Sequence, residues 1–231
     1  MRLLGLLSAS LLALPHGLAA QVSVADEGSF TISRNGARVG TETFTIRHSG
    51  PGGGDAYVAN GTVDIQGRKL MPALRADASF EPIAYQLEVR QRDVVVLRLK
   101  GIAGRGRFST QVRTAKGEST KEFITAADAL LLDDDVFHQY YFVAQRAQRL
   151  GATGGTIAVI VPQRTEQQVL RAKWDADEQL TIAGSKVTAR HLVLTEPGGA
   201  SRNLWVDAQG HLLKISLDGT GLVAQREDAP R

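Results

Sequence analysis

Residues 133–142, Asp-Asp-Asp-Val-Phe-His-Gln-Tyr-Tyr-Phe, gather the residue types most capable of chemistry in this 231-residue chain. Three consecutive carboxyls (Asp133, Asp134, Asp135) and His138 invite a metal site or an acid–base pair. Phe137, Tyr140, Tyr141 and Phe142 place four aromatics within six residues. A metal needs several ligands converging on one point, whereas consecutive residues at a helix start radiate apart. The segment therefore carries no metal prediction, and no cofactor is called for.

At about 100° per residue, Val136, Tyr140, Val143, Ala147 and Leu150 align in one stripe that Phe137, Tyr141 and Ala144 widen. This spacing predicts an amphipathic helix over about 134–149. Asp133 reads as its N-cap, and Asp134 and Asp135 complement the positive end of the helix dipole. His138 falls in the middle of the polar face, toward water, at the spacing of a surface pair with Asp134. Phe142 falls on that face as well, which a plain core helix does not require. The aromatic face is either ordinary core or the lining of a ligand cavity in a sheet that the helix plugs or covers.

No other stretch supplies a catalytic signature: Gly-x-Ser-x-Gly, Ser-x-x-Lys, His-Glu-x-x-His, phosphate-loop and EF-hand patterns are all absent. His48, His138, His191 and His211 are scattered, and each reads more readily as structural than as a ligand. A triad of Ser201, His191 or His211, and Asp207 is conceivable, since triads are defined by geometry rather than chain order. Nothing in the sequence favours it, so no catalytic residue is assigned. Trp174 and Trp205, on late apolar runs, are weaker pocket candidates beside Phe137, Tyr140, Tyr141 and Phe142.

The elements that must position these residues are strands. In "IAYQLEVR" Ile83, Tyr85, Leu87 and Val89 alternate with Gln86, Glu88 and Arg90, the period of a half-buried strand. "VVVLRLK", "RGRFSTQVRT" and "HLLKISL" repeat the pattern, with turn chemistry between them at Asn35-Gly36, "GPGGGD", Lys116-Gly117 and "DAQG". The prediction is a mainly β fold: a curved antiparallel meander of about 11–13 strands forming an open or partly closed barrel, with one amphipathic helix packed on or plugging it. A single β-rich domain over 21–231 is expected, with no linker or internal repeat.

Residues 1–20 read as a secretory signal peptide: Arg2, an apolar run from Leu3 to Leu14, Pro15, and small residues favouring cleavage near Ala19 or Ala20. The run is too short for a permanent membrane anchor, which takes about 20 residues. The remainder should be soluble, exported and periplasmic, with no transmembrane segment. The chain has no cysteine, which excludes disulfides, thiolate metal sites and a lipid-modified N-terminal cysteine. Without Arg2 there are 26 basic against 24 acidic residues, and the arginines form no stripe, so nucleic acid is not an expected partner.

The stretches "GSFTISRNGARVGTETFTI", "LLLDDDVFHQYYFVA" and "RHLVLTEPGGASRNLWVDAQGHLLKISLDGTGLVAQRED" resemble an exported bacterial family of unknown function. The turn from Asn35-Gly36 to Val39-Gly40 and the Trp205 to Asp207 turn carry the resemblance. The implied architecture is similar to the open β-barrel of periplasmic lipoprotein carriers and outer-membrane lipoprotein receptors, although this chain offers one helix where those have several. The leading expectation is a non-enzymatic binding or carrier protein for a lipid-like or other apolar ligand. An envelope scaffold that engages an envelope protein is the alternative, and an envelope hydrolase the third reading.

Overall fold

The computed structural model describes residues 22–50, 53–124 and 128–230. The signal-peptide prediction lies outside them. Alternation does what it predicts, and sixteen strands form: β1 (Val22–Arg34), β2 (Ala37–Ser49), β3 (Ala56–Ile65), β4 (Arg68–Asp77), β5 (Pro82–Gln91), β6 (Val94–Gly104), β7 (Arg107–Thr114) and β8 (Gly117–Ile124) make an unbroken antiparallel meander. The second half holds β9 (Leu130–Leu131), helix α1 (Tyr140–Leu150), β10 (Gly155–Val161), β11 (Glu166–Trp174), β12 (Glu178–Ile182), β13 (Ser185–Thr195), β14 (Ser201–Val206), β15 (Leu212–Leu217) and β16 (Leu222–Arg226). The count exceeds the expected 11–13 because β9, β12 and β16 are two to five residues long and too short to show a period of their own.

The first and last strands pair, so one sheet runs from β8 through β1 and β16 to β9. Its two ends do not pair with each other, and the sheet curls without closing into a barrel. Among the described strands only β9 runs parallel to its neighbour, β10. The β1–β16 join is pinned from inside by a buried pair, Arg226 Nη2 to Asp26 Oδ1 at 2.9 Å. Burial raises the Asp26 carboxyl above its usual range, partly offset by hydrogen bonds and charge from Arg226. Gly28 makes room for this arginine, since a Cβ there would stand 2.8 Å from Arg226 Nη2.

Inside the curl lies the main core, which runs from Phe30 and Phe44 through Leu87 and Leu99 to Leu204 and Ile215 and takes in the helix. A smaller apolar cluster of Ile182, Ala189, Trp205 and Leu213 sits on the opposite sheet face, where β12 folds over β13. Among the described residues no helix is long and apolar enough to cross a membrane.

The helix itself differs from expectation in three ways. It begins at Tyr140, because Leu132–Gln139 forms a looped approach held by side-chain hydrogen bonds, with Asp135 in the left-handed region at φ 60°. Asp133 is therefore not its N-cap. His138 does not face water but is fully buried, and Phe142 is buried as well. The cause is a cover that periodicity alone could not reveal. The β4–β5 turn crosses the presumed polar face, where Phe142 packs against Phe80 and Tyr57 with ring centroids 5.9 and 6.0 Å apart. Arg149 lies over the Phe80 ring and donates to the Ala78 carbonyl, and Arg146 pairs with Asp128.

Candidate functional site

The approach to the helix is built from partners distant in sequence. Leu130 and Leu131 align along β10, and Leu132 N–H donates to the Ile160 carbonyl at 3.0 Å. Three groups then converge on the buried Asp133 carboxylate: the Tyr85 hydroxyl at 3.0 Å, the Gln163 N–H at 3.0 Å and the Asp134 N–H at 3.1 Å. Burial dominates nonetheless and pushes the Asp133 carboxyl up to about 6, these hydrogen bonds offsetting part of the cost. Burial likewise pushes the Tyr85 hydroxyl well above its usual range, with the Asp133 charge adding to it. Arg68 donates to Asp135 at 2.7 Å and to Gln163 at 2.8 Å, while Arg164 meets Asp134 at 3.0 Å. The three acids thus have three separate jobs on one loop.

Glu42, on β2, supplies the helix approach with its carboxylate. It accepts from the Phe137 N–H at 2.9 Å and the His138 N–H at 3.2 Å, and its other oxygen meets His138 Nδ1 at 2.6 Å. Both side chains are fully buried. A carboxylate at these backbone donors does the work that Asp133 was expected to do. His138 stacks over Phe44, centroids 5.8 Å apart, and fills the space above Gly61, which lies across from Phe44. A Cβ on Gly61 would come within 2.7 Å of the His138 ring. Because Glu42 holds that ring in place, Gly61→Ala is expected to destabilise the fold by about 2 kcal/mol through overpacking, read as a shift in the urea unfolding midpoint.

Beside this loop the rim of the sheet opens into a hollow of about 370 Å³. Its apolar side is Val136, Phe137, Leu217 and Leu222; its polar side is Asp133, Asp134, Asp135 and Glu196 against Arg164 and Arg202, with Tyr140 between. Arg202 is buried, with each of its three side-chain nitrogens engaged: Nε meets Glu196 at 2.7 Å, Nη1 the Tyr140 hydroxyl at 3.0 Å and Nη2 Gln168 at 3.3 Å. Burial raises the Tyr140 hydroxyl, with Arg202 opposing.

Of the six pocket candidates, Phe137 and Tyr140 reach this hollow. Tyr141 and Phe142 pack edge to face with each other in the core. Trp174 stands half-buried under the end of the helix, its Nε1 donating to the Ala147 carbonyl at 3.4 Å and Arg190 lying over its ring. Trp205 belongs to the outer cluster and stacks on His191 at 4.6 Å. The conceivable triad is not assembled. His191 lies across from Trp205, four positions along β14 from Ser201, about 13 Å at 3.3 Å per residue. His211 pairs with Asp207 at 2.8 Å around the β14–β15 turn. Among the described residues no three metal-ligating side chains cluster.

Glu42 and Arg202 were not singled out by motif, yet each carried a signal. Glu42 shares a strand face with Phe44 and Ile46, and Arg202 shares one with Leu204 and Val206. A charged residue in register with the apolar face of a strand is a buried charge with a partner still to be found.

No family model matches the chain, and no curated protein matches it. Among solved structures it is similar to a β-barrel-like protein of the domain of unknown function DUF1849 from Brucella abortus, at 9% identity and a TM-score of 0.62, over 91% of this chain and 98% of that one. A DUF1089 family protein from Pseudomonas aeruginosa aligns at 17% identity with a TM-score of 0.43, over 78% of this chain and 90% of the other. The first likeness is one of fold: this chain's unclosed, mostly antiparallel sheet matches a β-barrel-like protein of unknown function.

Proposed function

We propose that the protein is an exported, non-enzymatic binding or carrier protein whose ligand sits in the rim hollow, its apolar body against Val136, Phe137, Leu217 and Leu222. The observation that carries this reading is an opening of about 370 Å³ where charged groups, Asp133 and Arg202 buried among them, stand beside an apolar surface, within the usual range of small-ligand sites, about 300–1,000 Å³. Between helix and sheet the side chains of Tyr141, Phe142 and Val143 are packed into the main core. Size narrows the class: the hollow equals about twelve water volumes at about 30 Å³ each, enough for one medium acyl chain and not two. Charge narrows it further. Four carboxyls face two guanidiniums that are already paired, so an uncharged, hydroxylated head group fits and a carboxylate does not.

Monodecanoylglycerol is expected to bind, and decanoate at least ten-fold more weakly. Ala200→Phe, which fills the hollow from the β13–β14 turn, is expected to reduce monodecanoylglycerol affinity at least ten-fold without moving the unfolding midpoint. Calorimetric titration that finds no binding, or equal binding to parent and variant, overturns the proposal. The alternative of an envelope interaction module has one observation in its favour: among the described strands β8 pairs with β7 alone and ends the sheet, the template that strand-adding partners use.

A further inference from the structure

A second hollow, of about 440 Å³, lies across the outer face of β4–β7, away from the rim and from the helix. The side chains that point inward from these strands, Leu87 and Leu99 among them, are buried in the core. The alternate positions point outward and line up across the sheet in two rows. In one, Met71 lies across from Glu88, Glu88 from Arg98, and Arg98 from Arg113. In the other, Ala73, Gln86, Lys100 and Gln111 stand in register. Three cations therefore share this concave surface with one carboxylate, the reverse of the rim hollow.

The hydrogen bonds decide which of these groups are available. Glu88 is bracketed by Arg90 at 2.7 Å and Arg98 at 2.9 Å, and those bonds hold its carboxyl below the usual range. Arg98 uses only its Nε there, and among the described residues neither of its terminal amino groups has an acceptor. Arg113 is committed to Glu118 through two nitrogens, at 3.0 and 2.8 Å. Between Gln86 and Gln111 the Lys100 ammonium has no hydrogen bond or ion pair among the described residues. An ammonium, a half-used guanidinium and a free amide on a concave floor make a receptor for an oxyanion flanked by hydroxyl groups. Over four strands spaced about 4.8 Å apart, the footprint is about 14 Å, the size of a small molecule rather than of a polymer.

We propose that this outer hollow is a second binding site, for a small polar molecule bearing one oxyanion group, phosphate or carboxylate, with Lys100 and Arg98 holding the anion and Gln86 a neighbouring hydroxyl. Calorimetric titration of the whole chain at low ionic strength with glucose 6-phosphate, galacturonate and glucose tests it and separates the two anion sources. At least one of the two anions is expected to bind while glucose does not. Lys100→Glu, at an exposed strand position, is expected to weaken that binding at least ten-fold with the unfolding midpoint unchanged. Ala200→Phe is expected to leave it untouched, and Lys100→Glu to leave monodecanoylglycerol binding untouched, so the two sites stand or fall separately. The proposal is overturned if neither anion binds, if Lys100→Glu binds as the parent does, or if inorganic phosphate binds as tightly as glucose 6-phosphate, which would reduce the site to charge alone.

Discussion

Glu42→Ala is expected to lower stability by about 3–5 kcal/mol, the usual cost of removing one member of a buried hydrogen-bonded pair. His138 would lose its partner at 2.6 Å in a fully buried setting, and the N–H groups of Phe137 and His138 would lose their acceptor. Domains of this size are stable by about 5–15 kcal/mol, so urea unfolding should record a large loss of midpoint. A double variant, Glu42→Leu with His138→Phe, separates the two losses. It replaces the side-chain pair by apolar groups but leaves both backbone donors orphaned, and it should recover only part of the stability. Full recovery would mean that the carboxylate serves His138 alone and has no part in shaping the helix approach.

Asp133→Asn is expected to remove a pH dependence of about 3 kcal/mol, from a shift of about two pKa units at 1.36 kcal/mol each. The sign follows from linkage. The folded carboxyl titrates near 6, above the unfolded value near 3.8, so between those values the folded state binds more protons than the unfolded state. Its contribution is fully present below about pH 4 and is lost as pH rises through about 6. The stability of Asp133→Asn relative to the parent should therefore improve steadily from pH 4 to pH 7. The difference between the two chains is the quantity to measure, because Asp26 and Asp134 also titrate above their usual range and contribute to both. A difference that stays flat across that window would place the Asp133 carboxyl in an ordinary, solvated setting.

The strands were legible because burial on one face writes a period of two into the sequence, and "IAYQLEVR" needs no tertiary information to be read. The helix was legible as an element but not in its extent or orientation. Its 3.6-residue pattern reports apolar positions, while the β4–β5 turn that covers Phe142 contributes only one large apolar residue, Phe80, which itself adopts a positive φ of 71°. His138 looked solvent-facing for a related reason: the group that makes its burial tolerable lies on β2, 96 residues earlier. The rim hollow was half legible. Phe137 and Tyr140 stood out by type, whereas Arg202, Leu217 and Leu222 reach the same place through pairing along β13–β16. Trp174 and Trp205 stood out as large aromatics on late strands; Trp174 packs against the main core and Trp205 in the outer cluster.

The join between β1 and β16 has a kinetic consequence. Most pairings within each half of the sheet join strands close in sequence, but the halves meet through residues such as Thr31 and Glu227, 196 positions apart. Closing so long a loop delays the reward of the contacts it brings, and chains rich in such distant pairings fold in milliseconds to seconds or slower. During that wait β1 and β16 are two unpaired edges bearing Phe30, Ile32, Leu222 and Ala224, all later buried, so the order of assembly, more than the final stability, governs how much of this chain is exposed to wrong partners on the way.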